Sequence, residues 1–117
     1  RRRDLEEARS LPRLSAAERM ALSERMADEF RRDREAVYRR LALWASYWRD
    51  VLLAGAGTEA AVANADVLDA VREDARAAQR AEVARFLRTL IEARDALQRN
   101  AQSRIVFDWL LLEGPGA

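Results

Sequence analysis

With 117 residues, half of them apolar and 35% charged, and a formal net charge of +1, the chain suits one packed domain. It has neither cysteine nor histidine, which excludes a disulfide framework and removes the commonest zinc ligand and general base. All 21 basic residues are arginines, interspersed with 20 acids, and that balance leaves no basic footprint for nucleic acid.

Ala, Leu, Arg and Glu dominate, all strong helix formers, and β-branched residues are scarce. The four glycines and two prolines avoid the long periodic segments. An all-α bundle of about five helices is the expectation, as one domain over residues 1–117. No apolar run reaches the roughly 20 residues of a membrane span, and no hydrophobic region of a signal peptide follows the first arginines. A cytoplasmic location follows as the default. A start at Arg1 rather than Met suggests a piece of a longer chain, with residues 1–13 a helix or linker leading in from a preceding domain.

Residues 1–10 read as a charged helix interrupted at Leu11, Pro12 and Arg13. Ser15 with Glu18 three residues on is a capping-box pattern, so a helix starts there. Its apolar positions are Ala16, Met20, Ala27 and Phe30, flanked by Leu22 and Met26. Arg31–Arg34 is either a solvated stretch of that helix or a break. From Glu35, the series Val37, Leu41, Trp44, Ala45, Trp48, Val51 and Leu52 forms a stripe of about four turns, ended by Gly55 and Gly57.

Residues 58–65 read as a connector with one short helical turn. Asn64 or Asp66 is expected to cap the next helix, which carries Val67, Leu68, Val71, Ala75 and Ala78. With no Gly or Pro near Arg80, that residue reads as a join to the following helix. There Val83, Phe86, Leu90, Ala93 and Leu97 share a face that Leu87 and Ile91 widen. Residues 100–103 end this helix and start the last, from about Arg104 to Leu112. Ile105, Trp109 and Leu112 make one stripe; Val106, Phe107, Leu110 and Leu111 leave little of the helix polar, so burial on several sides is expected.

Few residues stand out as more than packing. Asp50 sits at the border of a buried face beside Arg49, and its expected partner is Arg94. Asn100 is expected to cap a helix junction through its side chain, so that Ala there costs about 1 kcal/mol. Trp44 and Trp48 fall on core spacing, and Trp109 is either core or an intersubunit anchor. The carboxylate pairs Asp28/Glu29 and Glu73/Asp74 read as solvated faces. AGAG at 54–57 follows a helix and lacks the lysine of a phosphate loop. Without His, Cys or Lys no nucleophile–base set can be assembled, so no catalytic residue, cofactor or metal is expected.

Three ordered elements carry a family resemblance. Trp48, Arg49, Asp50, Leu52 and Leu53 form an aromatic–Arg–Asp–x–Leu–Leu helix. Asn64 and Asp66 form an Asn–x–Asp loop end. Asn100, Arg104, Ile105, Phe107, Asp108, Leu110, Leu111 and Leu112 complete the last element. Together they resemble the C-terminal collar domain of bacterial DNA polymerase III clamp-loader subunits, most closely the delta-prime type, over about residues 37–113. Gln102 and Ser103 depart from the usual Asn and Pro, and Trp109 stands where a small residue is common. The related gamma and tau collars stay open as an alternative.

The resemblance implies a non-catalytic assembly domain of an ATP-driven clamp loader. Its partners would be other clamp-loader subunits, with DNA met only through the whole complex and no membrane or small-molecule substrate. Arg49, Asp50, Arg94, Asn100, Arg104, Asp108, Trp109 and Leu111 are the structural and interface candidates, with Trp109 and Leu111 on the expected seam. An unrelated helical interaction module would show a groove instead of two opposed contact faces. A nucleic-acid-binding domain would gather its arginines on one side.

Overall fold

A computed structural model describes residues 2–116. Among them are six α-helices and no strand: α1 (Arg2–Ser10), α2 (Ala16–Arg32), α3 (Arg34–Gly55), α4 (Leu68–Ala77), α5 (Arg80–Gln98) and α6 (Ser103–Leu112). Arg1 and Ala117, included in the sequence-based domain and first helix, lie outside the described residues. Short 3-10 turns occupy Leu11–Arg13, Glu59–Ala61 and Ala65–Val67. No described helix is long and apolar enough to cross a membrane.

The helices form one buried cluster around α3, which packs on α1, α2, α4 and α5, while α6 lies against α2 and α5. The α2 start forms the expected reciprocal cap: the Ser15 Oγ accepts from the Glu18 N–H at 3.1 Å, and Glu18 accepts from the Ser15 N–H at 2.8 Å. The charged stretch after α2 breaks at Asp33, whose side chain caps α3 by accepting from the Ala36 N–H at 3.1 Å. Phe30 sits at this corner in edge contact with Tyr38 and Phe107, the Arg34 guanidinium 4.6 Å above its ring.

The face of α2 differs from the sequence expectation. Ala16 is exposed and Met20 only half-buried; Arg19, Leu22, Ser23, Met26, Ala27 and Phe30 are the buried positions. Polar Arg19 and Ser23 hide this stripe from a hydrophobicity pattern. The expected join at Arg80 is also corrected. Ala78 and Gln79 are extended, and the chain turns there with neither Gly nor Pro. On one continuous helix Val71 and Val83 would point about 120° apart. The turn brings both into the common core, so tertiary packing overrides local propensity.

The carboxylate pairs are not simple solvated faces. Asp74 of α4 takes two hydrogen bonds from the Arg9 guanidinium, at 2.9 and 3.3 Å, and one from the Tyr47 hydroxyl. Glu29 pairs with Arg40, which also forks onto Glu7 at 2.7 and 2.8 Å. These contacts, with the buried Leu5, Ala8 and Leu11, dock α1 onto α3 and α4 as a member of the bundle. Burial and the bond to Asp74 push the Tyr47 pKa up, so the phenol stays protonated and donates.

The ends of the bundle are tied through Arg19. Its guanidinium is buried and donates to four main-chain carbonyls: Leu11 and Leu111 at 2.8 Å, Leu14 and Pro115 at 3.2 Å. Burial lowers its pKa, and the Leu111 carbonyl in the last turn of α6 offsets that cost as a helix C-terminus favours a cation. Gly116 adopts φ +79, and a Cβ there would collide with the Pro12 carbonyl. Replacing Arg19 by Met should lower stability by about 2–3 kcal/mol in urea unfolding, because buried carbonyls lose their donors; a change within 0.5 kcal/mol would contradict this role.

Asn100 caps by its backbone, not by its side chain as expected. It holds φ +66, and the Asn100 and Ala101 N–H groups donate to Leu97 and Ala96 at 3.1 and 3.0 Å. This is the paired closure of a Schellman turn. Asn100→Ala should cost about 1 kcal/mol because Ala resists the left-handed region. Asn100→Gly should match or exceed the parent in thermal unfolding; an equal loss for Gly would restore the side-chain role.

Candidate assembly surface

Helix α6 is a short wedge, with Val106, Phe107, Leu110 and Leu111 buried. Leu111 is fully buried, so its expected place on an intersubunit seam is corrected: it is core. The stripe spaced i, i+4, i+7 faces outward instead, with Ile105 62%, Trp109 37% and Leu112 53% exposed. Burial on several sides therefore holds for two flanks of α6, and the third is bare. The sequence showed the spacing of this stripe but could not say which of two apolar faces the bundle covers.

The rotation of α6 about its axis is pinned by Asp108. Its carboxylate accepts from the Ser23 hydroxyl of α2 and from the Arg104 Nε at 3.0 Å. The Ser23 bond, helped by Arg104, holds the Asp108 carboxyl below its usual range against the opposing effect of burial. Asp108 and Arg104 thus lie together beside the bare stripe.

Asp50 is fully buried, not at a border. Its oxygens accept from the main-chain N–H of Ala63 at 3.0 Å and of Asn64 at 2.7 Å, and from the Asn64 side-chain amide. Arg49 approaches to 3.7 Å, and the Asn64 amide also reaches the Ser46 hydroxyl at 3.1 Å. The expected Arg94 partner is corrected: Arg94 is exposed on α5, while the connector brings donors directly to Asp50. Asn64 likewise turns its amide to α3, and α4 begins after Val67 without a side-chain cap. A buried carboxylate is tolerated because several donors meet it.

A shallow apolar groove of about 550 Å³ lies between α3 and α5, lined by Ala45, Ser46, Arg49, Leu87 and Ile91. Ile91, expected to widen the core face, is 63% exposed here. Arg85 reaches the other way, to Glu113 at the end of α6 at 3.8 Å. Residues two apart on a helix point about 160° apart, so the groove beside Leu87 and the α6 stripe occupy opposite flanks of α5. Exposed arginines are spread over several helices among acids. No protein-family model, curated protein or solved structure matches the chain in comparisons with each.

Asp50→Ala should cost about 3 kcal/mol in urea unfolding, since it strands two main-chain donors and the Asn64 amide. Asn64→Ala should cost about 1 kcal/mol, and the double variant less than the sum. Additive losses would mean that the two residues act separately.

Proposed function

We propose that this chain is a subunit-assembly domain of the clamp-loader collar kind, closest to the delta-prime type, serving sliding-clamp loading in DNA replication. Its work is binding: it holds sibling subunits side by side, and the ATP-driven chemistry belongs to other modules of the complex. The bare stripe Ile105–Trp109–Leu112 carries the reading. It lies within the segment that bears the last collar-like sequence element, on a helix already packed on two sides. An uncovered aromatic with aliphatic neighbours and charged borders has the composition of an interface.

The contact between Asp50 and Asn64 supports the same reading. It joins the first two collar-like elements, so residues that match the pattern in sequence form one structural clasp. The groove beside Ile91 favours a second reading, an unrelated helical module that docks a partner's helix. The gamma/tau alternative shares the assembly role and differs in which siblings are bound.

Co-expression with the other clamp-loader subunits of the source organism tests the proposal. The parent chain should co-purify with at least one of them. Trp109→Asp and Ile105→Asp should each abolish the association while thermal unfolding stays near the parent's. Arg25→Asp, on the exposed side of α2, should leave it intact. Failure of the parent chain to associate with any sibling would overturn the reading. Leu111 is unsuitable as a probe because a charge there breaks the core.

A further inference from the structure

Helix α1 is tied to the bundle by little apolar surface. Of its nine residues only Leu5 and Ala8 are buried. Its backbone lies along α3, and Arg9 bridges across to α4. On each side of that bridge the seam between α1 and α4 is hollow. A recess of about 500 Å³ opens toward their N-terminal ends, with Leu5, Tyr47, Val67 and Ala70 in its lining. A second, of about 260 Å³, opens toward their C-terminal ends, with Pro12, Ala77 and Ala78 in its lining.

The polar contacts of α1 are arranged so that its departure strands no charge. Breaking a buried ion pair is costly when the charge left behind stays buried and unpaired. Arg40, which forks onto Glu7, keeps Glu29. Asp74, which accepts from Arg9, keeps the Tyr47 hydroxyl. Beyond Ser10 the chain is fixed again: Leu11 is buried, its carbonyl accepts from Arg19 at 2.8 Å, and Gly116 closes on Pro12. The remaining core also closes without α1, since α2, α3, α5 and α6 pack in a cycle, each against two of the others.

We infer that α1 is a strap. It lifts from the bundle as a unit, hinged between Ser10 and Leu11, while α2–α6 stay folded, and lifting uncovers Tyr47 and Trp48 on α3. Both aromatics are sealed in the closed form, at 0% and 1% exposure, so the open form presents an apolar face that the closed form lacks. A helix of nine residues has little stability of its own in water, so the lifted segment unwinds. Arg9 and Arg40 are the two clasps that set how often this happens. Sub-global opening of this kind belongs to elements with few buried apolar contacts. The inference does not rest on the assembly reading, and the α6 stripe takes no part in it.

Native-state hydrogen exchange tests it. The first four N–H groups of a helix lack an intrahelical acceptor, so the informative amides of α1 are those of Glu6 to Ser10. They should exchange about a hundredfold faster than the slowest amides of α3 and α5. Low urea should leave the α1 rates flat while speeding the core, because lifting exposes less surface than global unfolding. Leu90→Val, in the core, should likewise speed the core amides and leave those of α1 unchanged. Arg9→Gln should speed the α1 amides about tenfold through loss of a charge-assisted pair, whereas Arg3→Gln, at an exposed position, should change them by less than about twofold. The chain has no cysteine, so Ala8→Cys puts a single thiol beneath the strap and Ala93→Cys puts one in the core. The first should be labelled by a thiol reagent with the protection that the α1 amides show, the second with that of the core. Exchange of α1 in Ala8→Cys at the parent's rate excludes displacement by the larger side chain. Amides of α1 that exchange together with the core, at every urea concentration, overturn the inference. So does an Ala8→Cys thiol as protected as that of Ala93→Cys, which would mean that α1 frays in place. Equal responses to Arg9→Gln and Arg3→Gln would remove the clasp and the inference with it.

Discussion

Arg19 stands where the turn after α1 meets the end of α6. A guanidinium in apolar surroundings is costly unless its donors are satisfied. Here its acceptors come from the turn after α1 and from the end of α6. Leu111 and Pro115 are thereby held to α2, and α6 cannot slide along its axis. Asp108, gripped by Ser23 one turn further along α2, prevents rotation. Translation and rotation of a ten-residue helix are thus set by two polar contacts on α2, with Phe107, Leu110 and Leu111 supplying the apolar burial. Which residues of α6 face water follows from those contacts. The bare stripe is consequently a fixed surface, not one face of a loosely packed helix.

A second set of polar contacts ties α1 to its neighbours in the bundle. Arg9, Asp74 and Tyr47 join α1, α4 and α3, and Arg40 joins α3 to Glu7 and Glu29. Arginine forks bring direction that apolar packing lacks. The chain has no lysine, and its partly buried ion pairs make use of the planar group. Helix α1 is short and highly charged, with few apolar positions of its own. Its docking therefore depends on these pairs as well as on Leu5 and Ala8. The Trp48 indole adds a further tie by donating to the Ala8 carbonyl at 3.0 Å.

Periodicity located the long helices because an apolar stripe has no other economical explanation: Val37 to Val51 and Val83 to Leu97 are buried as their spacing implies. The capping box at Ser15 was equally legible, since its chemistry is local. What escaped was whatever depends on a distant partner. Arg19 and Ser23 look like surface residues until the end of α6 arrives against them. Asp50 looked like a candidate for a cation, whereas main-chain donors of the connector reach it first. The turn at Ala78 carries no local marker, because the incentive to bend is the shared core. On the candidate surface, Trp109 could be singled out from sequence, but its exposure and the burial of Leu111 could not. Both lie on one apolar helix, and only the positions of α2 and α5 separate them.

The arrangement of apolar surface bears on how the molecule can associate. Scattered exposed side chains are ordinary on a folded protein, but Ile105, Trp109 and Leu112 are aligned, and Ile91 stands beside a hollow. Were both patches on one flank of the bundle, a single partner could cover them and assembly would end at a pair. With α5 between them, covering one leaves the other open. Trp109, the largest side chain of that stripe, makes it a ridge. Such a ridge needs a concave counterpart to exclude water around the indole. The small side chains of Ala45 and Ser46 contribute to a concavity of that kind. Placement on opposite flanks of α5 thus leaves each patch open to a separate neighbour.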